Sequence, residues 1–190
     1  MRKRVVVAAL LVVAAIGISV GLYLFQPWRL FTSSTVIEDV PAASPAAGTS
    51  HTAGPAATAP TSQGPTAVPS TPPAPRELAK GRLISHEHAS SGTARILELP
   101  DGSRILRLEN LQTSDGPDLR VWLTDAPVIE GPAGWYVFDD GAYLDLGALK
   151  ANKGNQNYTI PATAVLGDYS SVSVWCARFA VSFAAAELKP

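Results

Sequence analysis

"TARILELPDGSRILRLEN", residues 93–110, is the stretch whose reading decides the fold. At its centre Pro100 fixes φ, the Asp101 side chain bonds its own backbone, and Gly102 tolerates positive φ, a combination that makes a tight turn. Runs rich in Ile and Leu flank the turn, so a β-hairpin is predicted. Leu97, Leu99, Leu106 and Leu108 are expected to share one face across it, with Arg95, Glu98, Arg104 and Arg107 at polar positions.

Downstream, "DLRVWLTD", residues 118–125, alternates Leu119, Val121 and Leu123 with Arg120, Trp122 and Thr124 and reads as a strand. "GWYVFDD" (134–140), "AYLDLG" (142–147), "NYTIP" (157–161) and "YSSVSVWCARFAVSF" (169–183) follow, rich in aromatic and β-branched residues and separated by Gly, Pro, Asn or Asp. Roughly seven or eight such pieces predict an all-β single domain, an antiparallel β-sandwich or barrel. In the last run Trp175, Phe179, Val181 and Phe183 are expected on one face and Val172, Val174 and Cys176 on the other. Apolar on both sides, it reads as a central strand. Arg178 interrupts the even face, so Cys176 is expected near the edge of the buried zone, partly exposed.

Ahead of the domain, Arg2, Lys3 and Arg4 precede 21 uncharged positions from Val5 to Phe25. As a helix that run spans about 30 Å, the thickness of a bilayer core. No A-x-A-like triplet follows, so a retained signal anchor is expected. The basic start favours the cytoplasm, which makes this a single-pass cell-membrane protein with its carboxyl-terminal domain extracytoplasmic. Residues 1–30 are thus the basic start and transmembrane helix. Residues 31–75 are expected to be a disordered tether, of which 41–75, almost all Pro, Ala, Thr, Ser and Gly, has a reach on the order of 100 Å. An Ala/Pro-rich segment of this kind suits a high-GC bacterial host.

Residues 76–190 form the domain, with 11 Lys/Arg against 14 Asp/Glu and no basic stripe. Nucleic acid is therefore not an expected partner. The chain lacks G-x-S-x-G, H-E-x-x-H, P-loop and C-x-x-C motifs, so hydrolase and transferase readings have no support. If the domain is active, a redox role is the one left open.

Cys176 is the single cysteine. Four readings stand: a buried small hydrophobe, a redox thiol with Arg178 as electrostatic helper, a metal or haem thiolate ligand, or half of an intermolecular disulfide. His86 and His88 are two apart, so on a strand both rings would leave the same face. With a thiolate they would make part of a copper or zinc site; the plainer reading is a solvated strand edge. Asp115-Gly116-Pro117-Asp118 reads as a tight turn whose Asp bonds nearby amides. Lys150 and Lys153 are expected on a loop.

"HASSGTARILEL", "GPDLRVWL", "LGALKANKGNQNYTIP" and "SVSVWCARFAVSFAAAEL" together resemble the DM13 domain family over residues 80–188. The resemblance implies a β-rich extracytoplasmic domain with an electron-transfer or redox role around a cysteine. It matches the family's W-C pair to Trp175 and Cys176, and its further motifs to Gly116, Pro117, Asp118, Lys150 and Tyr158. It supports His88 more than His86. Haem or copper is a candidate cofactor, and the electron donor or acceptor is expected to be a separate partner protein. The competing reading is a non-catalytic extracytoplasmic binding or adhesion module in which Cys176 is structural.

Overall fold

The structure, a computed structural model, describes residues 2–26, 28, 32–41 and 74–190. An apolar helix, α1 (Arg2–Phe25), is followed by ten strands: β1 (Thr35–Ile37), β2 (Arg76–Arg82), β3 (Ile84–Ser85), β4 (Ser91–Glu98), β5 (Arg104–Gln112), β6 (Leu119–Thr124), β7 (Tyr143–Ala148), β8 (Lys153–Ile160), β9 (Ser171–Cys176) and β10 (Val181–Glu187). Residues Lys3–Leu24 of α1 are long and apolar enough to cross a membrane, a test that a signal sequence also passes.

The strands form two five-stranded sheets, ordered β1-β8-β5-β4-β2 and β3-β10-β9-β6-β7. Every pairing is antiparallel except β1 on β8. Their inner faces meet in one core that joins Ala94, Ile96, Leu106 and Leu108 of the first sheet to Val121, Leu123, Val172, Val174 and Phe183 of the second. This is the expected β-sandwich. Each fully buried Leu, Val or Phe in it contributes about 1.5–3 kcal/mol relative to exposure.

The hairpin at 93–110 forms, and its turn closes with the Leu99 N–H on the Ser103 carbonyl and the Asp101 carboxylate accepting from the Ser103 backbone and hydroxyl. Its face assignment differs from expectation. Register pairs Ile96 with Leu106 and Leu97 with Ile105, so Leu106 and Leu108 enter the inter-sheet core while Leu97 and Leu99 join Ile105 and Val40 on the outer side. A one-residue difference across a turn exchanges faces.

Two other runs fold differently from their sequence reading. Residues 169–183 are not one strand: the chain reverses through Ala177–Ala180, with Ala180 at φ 49°, and becomes the β9–β10 hairpin. "GWYVFDD" is not a strand either, since a 3-10 turn at Pro132–Gly134 opens an irregular segment. Phe138 and Ala126 of that segment pack on Trp122, Trp175 and Ala185, covering the outer face of the second sheet.

Residues 42–73, most of the expected tether, lie outside the described residues, but its first part does not. Residues 32–41 run along the domain as a strap. The Ser34 N–H donates to Asn152 Oδ1 at 2.8 Å, the Lys153 N–H to the Ser34 carbonyl at 3.1 Å, and the Glu38 N–H to the Asn155 carbonyl at 2.9 Å. Gly154, at φ 103°, accepts β1 because a Cβ there would collide with the Val36 carbonyl. The β-branched Thr35, Val36 and Ile37 suit a strand, whereas the composition of the whole segment masked them.

Candidate functional site: a polar cleft above Cys176

At one end of the sandwich the turn Asp115–Asp118, leading into β6, meets the turn Leu149–Asn152, leading into β8. The Leu149 N–H donates to the Leu119 carbonyl at 2.8 Å and ties the two together. Asp115 Oδ1 accepts the Gly116 N–H at 2.8 Å, the aspartate turn the sequence predicts. Gly116 lies where a Cβ would press on Leu119 and Phe183. Asp118 pairs with Arg120 Nε at 2.9 Å, and Arg120 also reaches Asp145.

These turns and Ser34 of the strap enclose a cleft of about 340 Å³, lined by Gly116, Pro117, Asp118, Leu119, Lys150 and Asn152 among others. Tyr158 supports it from below. Its hydroxyl donates to Gln156 Oε1 at 2.6 Å and accepts the Lys150 N–H at 3.1 Å, while Gln156 Nε2 bonds the Ala151 carbonyl. Burial pushes the Tyr158 hydroxyl up to about 12, so it stays a donor across the physiological range. The residues named from dispersed motifs therefore meet: Gly116, Pro117, Asp118 and Lys150 line the cleft, and Tyr158 braces the Lys150 turn.

Lys150 Nζ holds the Glu38 carboxylate at 2.7 and 2.9 Å, and the Asn157 N–H donates to the same carboxylate at 2.7 Å. These contacts hold the Glu38 carboxyl below the usual carboxylate value, the Lys150 hydrogen bond being the largest cause. A group with a depressed native value adds stability above its unfolded value and loses it as pH falls through the native one. Exchange of the Glu38 amide, which donates to the Asn155 carbonyl, is accordingly expected to speed up, relative to β5 amides, as pH drops below 4.5, the ordinary value. Glu38→Gln should remove that pH dependence.

Cys176 is the last residue of β9, in register with Leu119 of β6 and Val181 of β10. It is 0 % exposed, against the expected partial exposure, because the chain folds back at once and β10 seals it. Burial pushes its thiol up; the backbone N–H groups of Phe179, Arg178 and Asp118 and the Asp118 carboxylate also act on it, the amides lowering and the carboxylate raising. Arg178 helps through its backbone amide, while its guanidinium donates to the Leu24 carbonyl of α1 at 3.4 Å. Asp118 thus both lines the cleft and faces the sulfur.

Trp175 points to the other side of its sheet. It stacks on Trp122 with ring centroids 5.1 Å apart, and Trp122 stacks on Tyr143 at 4.0 Å. The Phe138 ring meets Trp175 edge-on at 6.3 Å.

The two histidines do not share a face. Residues 86–88 form a bend after the short β3 rather than a strand, so the period-2 argument fails. His86 is buried against Phe138 on the outer side, with Nδ1 2.9 Å from Ser182 Oγ, which also accepts from Ser173 Oγ at 3.0 Å. Burial lowers the His86 value, opposed by the nearby Ile129 carbonyl. Its Nε2 makes no hydrogen bond. His88 lies on the inner-core residue Phe183, centroids 4.0 Å apart, and its Nε2 is 3.0 Å from Glu87. Among the described residues no three His, Cys, Asp or Glu side chains converge as metal ligands. Among the described residues the histidines and thiol therefore do not assemble the copper-like or zinc-like set.

Glu38 and Ser34 escaped the sequence reading, whereas Gln156 belongs to a Q-x-Y-x-x-P element that the family resemblance matches. Of the two missed, only Glu38 left a signal, a carboxylate directly after a β-branched triplet.

No curated protein and no solved structure matches the chain. A family model described as electron transfer DM13 matches residues 82–188, which takes in strands β3 to β10, both turns of the cleft and Cys176. With more than half of its length matched, the chain belongs to the electron transfer DM13 family.

Proposed function

We propose that the protein is a membrane-anchored redox module: α1 is a retained span, the DM13 domain lies on the extracytoplasmic side, and electrons pass between it and a separate protein. Family membership supports the electron-transfer role, and the basic residues before α1 support the orientation.

In this reading the Cys176 thiolate attacks a disulfide of the partner protein, forming a mixed disulfide while the partner's second sulfur leaves as thiolate, and the cleft above Cys176 is where that partner approaches. One observation carries the assignment: Asp118 lines the cleft and also turns its backbone N–H toward the sulfur. The Asp118 amide lies outside the β9–β10 turn and would stabilise negative charge on sulfur once burial is relieved, an arrangement that activates a thiol. Relief requires the turn Ala177–Ala180, all exposed, to open. Trp175 packs behind the strand, Arg178 supplies an amide, and His88 reaches the same region only through Phe183.

Fully buried Cys176, with its thiol pushed up, favours a second reading: a binding module whose cysteine is core. Electron exchange of the full-length protein with membrane-extract redox proteins separates the two. Cys176→Ala, with folding checked by its thermal midpoint, is expected to slow exchange by about tenfold or more, equivalent to about 1.4 kcal/mol or more. Unchanged exchange in a folded variant rules out the thiol as the centre.

A further inference from the structure

We infer that the domain is seated on the membrane surface by its β9–β10 turn, held there by the strap at residues 32–41 rather than at the end of a long stalk. This seating presupposes the retained span proposed above.

The first ground is chain length. α1 ends at Phe25, and Thr32 is already fixed to the domain through a 2.7 Å hydrogen bond from its hydroxyl to Asp115 Oδ2. Seven steps of chain reach at most about 25 Å. Whatever the length of the segment after residue 41, the domain cannot stand farther than that from the end of the span while the strap is paired.

The strap also sets the direction. It runs parallel to β8, from Ser34 at the cleft end toward the β4–β5 turn. Arg107 Nη1 donates to the Glu38 carbonyl at 2.9 Å, and Val40 packs with Leu97, Leu99 and Ile105 beside that turn. The chain re-enters at the same end, where Arg76 pairs with Glu98 in register and as an ion pair. The described chain therefore stops at residue 41 and resumes at residue 74 at the end far from α1, and the length between them does not separate domain from membrane.

The cleft end, in contrast, faces the span. The Ala177 N–H donates to the Asp118 carbonyl at 2.9 Å, so the β9–β10 turn lies beside the turn that anchors Thr32. Its tip presents Arg178, bonded to the Leu24 carbonyl, and Phe179, 44 % exposed. An aromatic ring and a long cation at an exposed turn next to a span end match the chemistry of the lipid headgroup zone. The occupant of this surface is the bilayer itself.

The full-length chain in phosphatidylcholine vesicles containing doxyl-labelled phosphatidylcholine provides the test. A bimane fluorophore is attached at Ala177→Cys or at Ser103→Cys; buried Cys176 stays unlabelled. Quenching is expected to be several-fold stronger at 177 than at 103. Deleting residues 45–70 should leave both values unchanged, whereas a stalk would bring both probes closer to lipid. Loosening the strap with Glu38→Ala should weaken quenching at 177, and Glu38→Gln provides a milder version if the first variant folds poorly. Weak and equal quenching at both sites, in a chain that pellets with the vesicles, overturns the seating alone. Recovery of a shorter, soluble chain from cells overturns the retained span together with it.

Discussion

Trp175→Ala is expected to cost the domain about 3–5 kcal/mol of folding stability, the range for removing a buried large aromatic. Trp175 is 1 % exposed and lies at the centre of the outer layer, stacked on Trp122 and met edge-on by Phe138. Without it, the segment from Ala126 to Phe138 loses the surface on which it packs, and Trp122 keeps only Tyr143 as a stacking partner. A domain of ordinary stability has about 5–15 kcal/mol in total, so the variant should lose about a fifth or more of its margin. Urea unfolding at equilibrium measures it through a lower midpoint at unchanged slope. A loss under about 1 kcal/mol would mean that this outer layer is not part of the cooperative fold.

Native Cys176 is expected to react with a charged thiol reagent on the order of a thousandfold, or more, slower than the same residue in the urea-unfolded chain. Two effects act in the same direction. Complete burial by β10 denies access, and the raised thiol value lowers the thiolate fraction at neutral pH. The slow rate should rise when the β9–β10 turn is loosened, for example by Ala180→Val, a β-branched residue that resists φ 49°, if opening there governs access, and stay fixed if only global unfolding exposes sulfur. Reaction of the native protein at the unfolded rate would contradict the packing. It would also remove the main observation favouring a structural cysteine. The two measurements address opposite faces of one strand, since Trp175 and Cys176 are neighbours in sequence yet point into different layers.

That alternation was legible from residues alone. Period-2 patterning in "DLRVWLTD" correctly sends Val121 and Leu123 inward and Trp122 outward, and the Pro-Asp-Gly turn correctly predicts the first hairpin. Where the reading failed, a non-local quantity was at issue. Leu97 and Leu99 exchanged faces because cross-strand register was set by the closed turn, not by either strand's composition. The run through Cys176 looked like one long strand because nothing local marks Ala180 as the residue that takes positive φ. The histidines looked paired because a bend and a strand share the same two-residue spacing.

The sequence by itself determined an all-β domain behind one apolar helix and its antiparallel character, because side-chain alternation and turn chemistry are written into neighbouring positions. Only the tertiary structure decided that Gly116, Pro117, Asp118 and Lys150 share a cleft, that Cys176 is sealed, and that residues 32–41 bind the edge of β8. Those outcomes depend on which strands pair across long stretches of chain, and burial is a property of the assembled sheets rather than of any residue's neighbours in sequence.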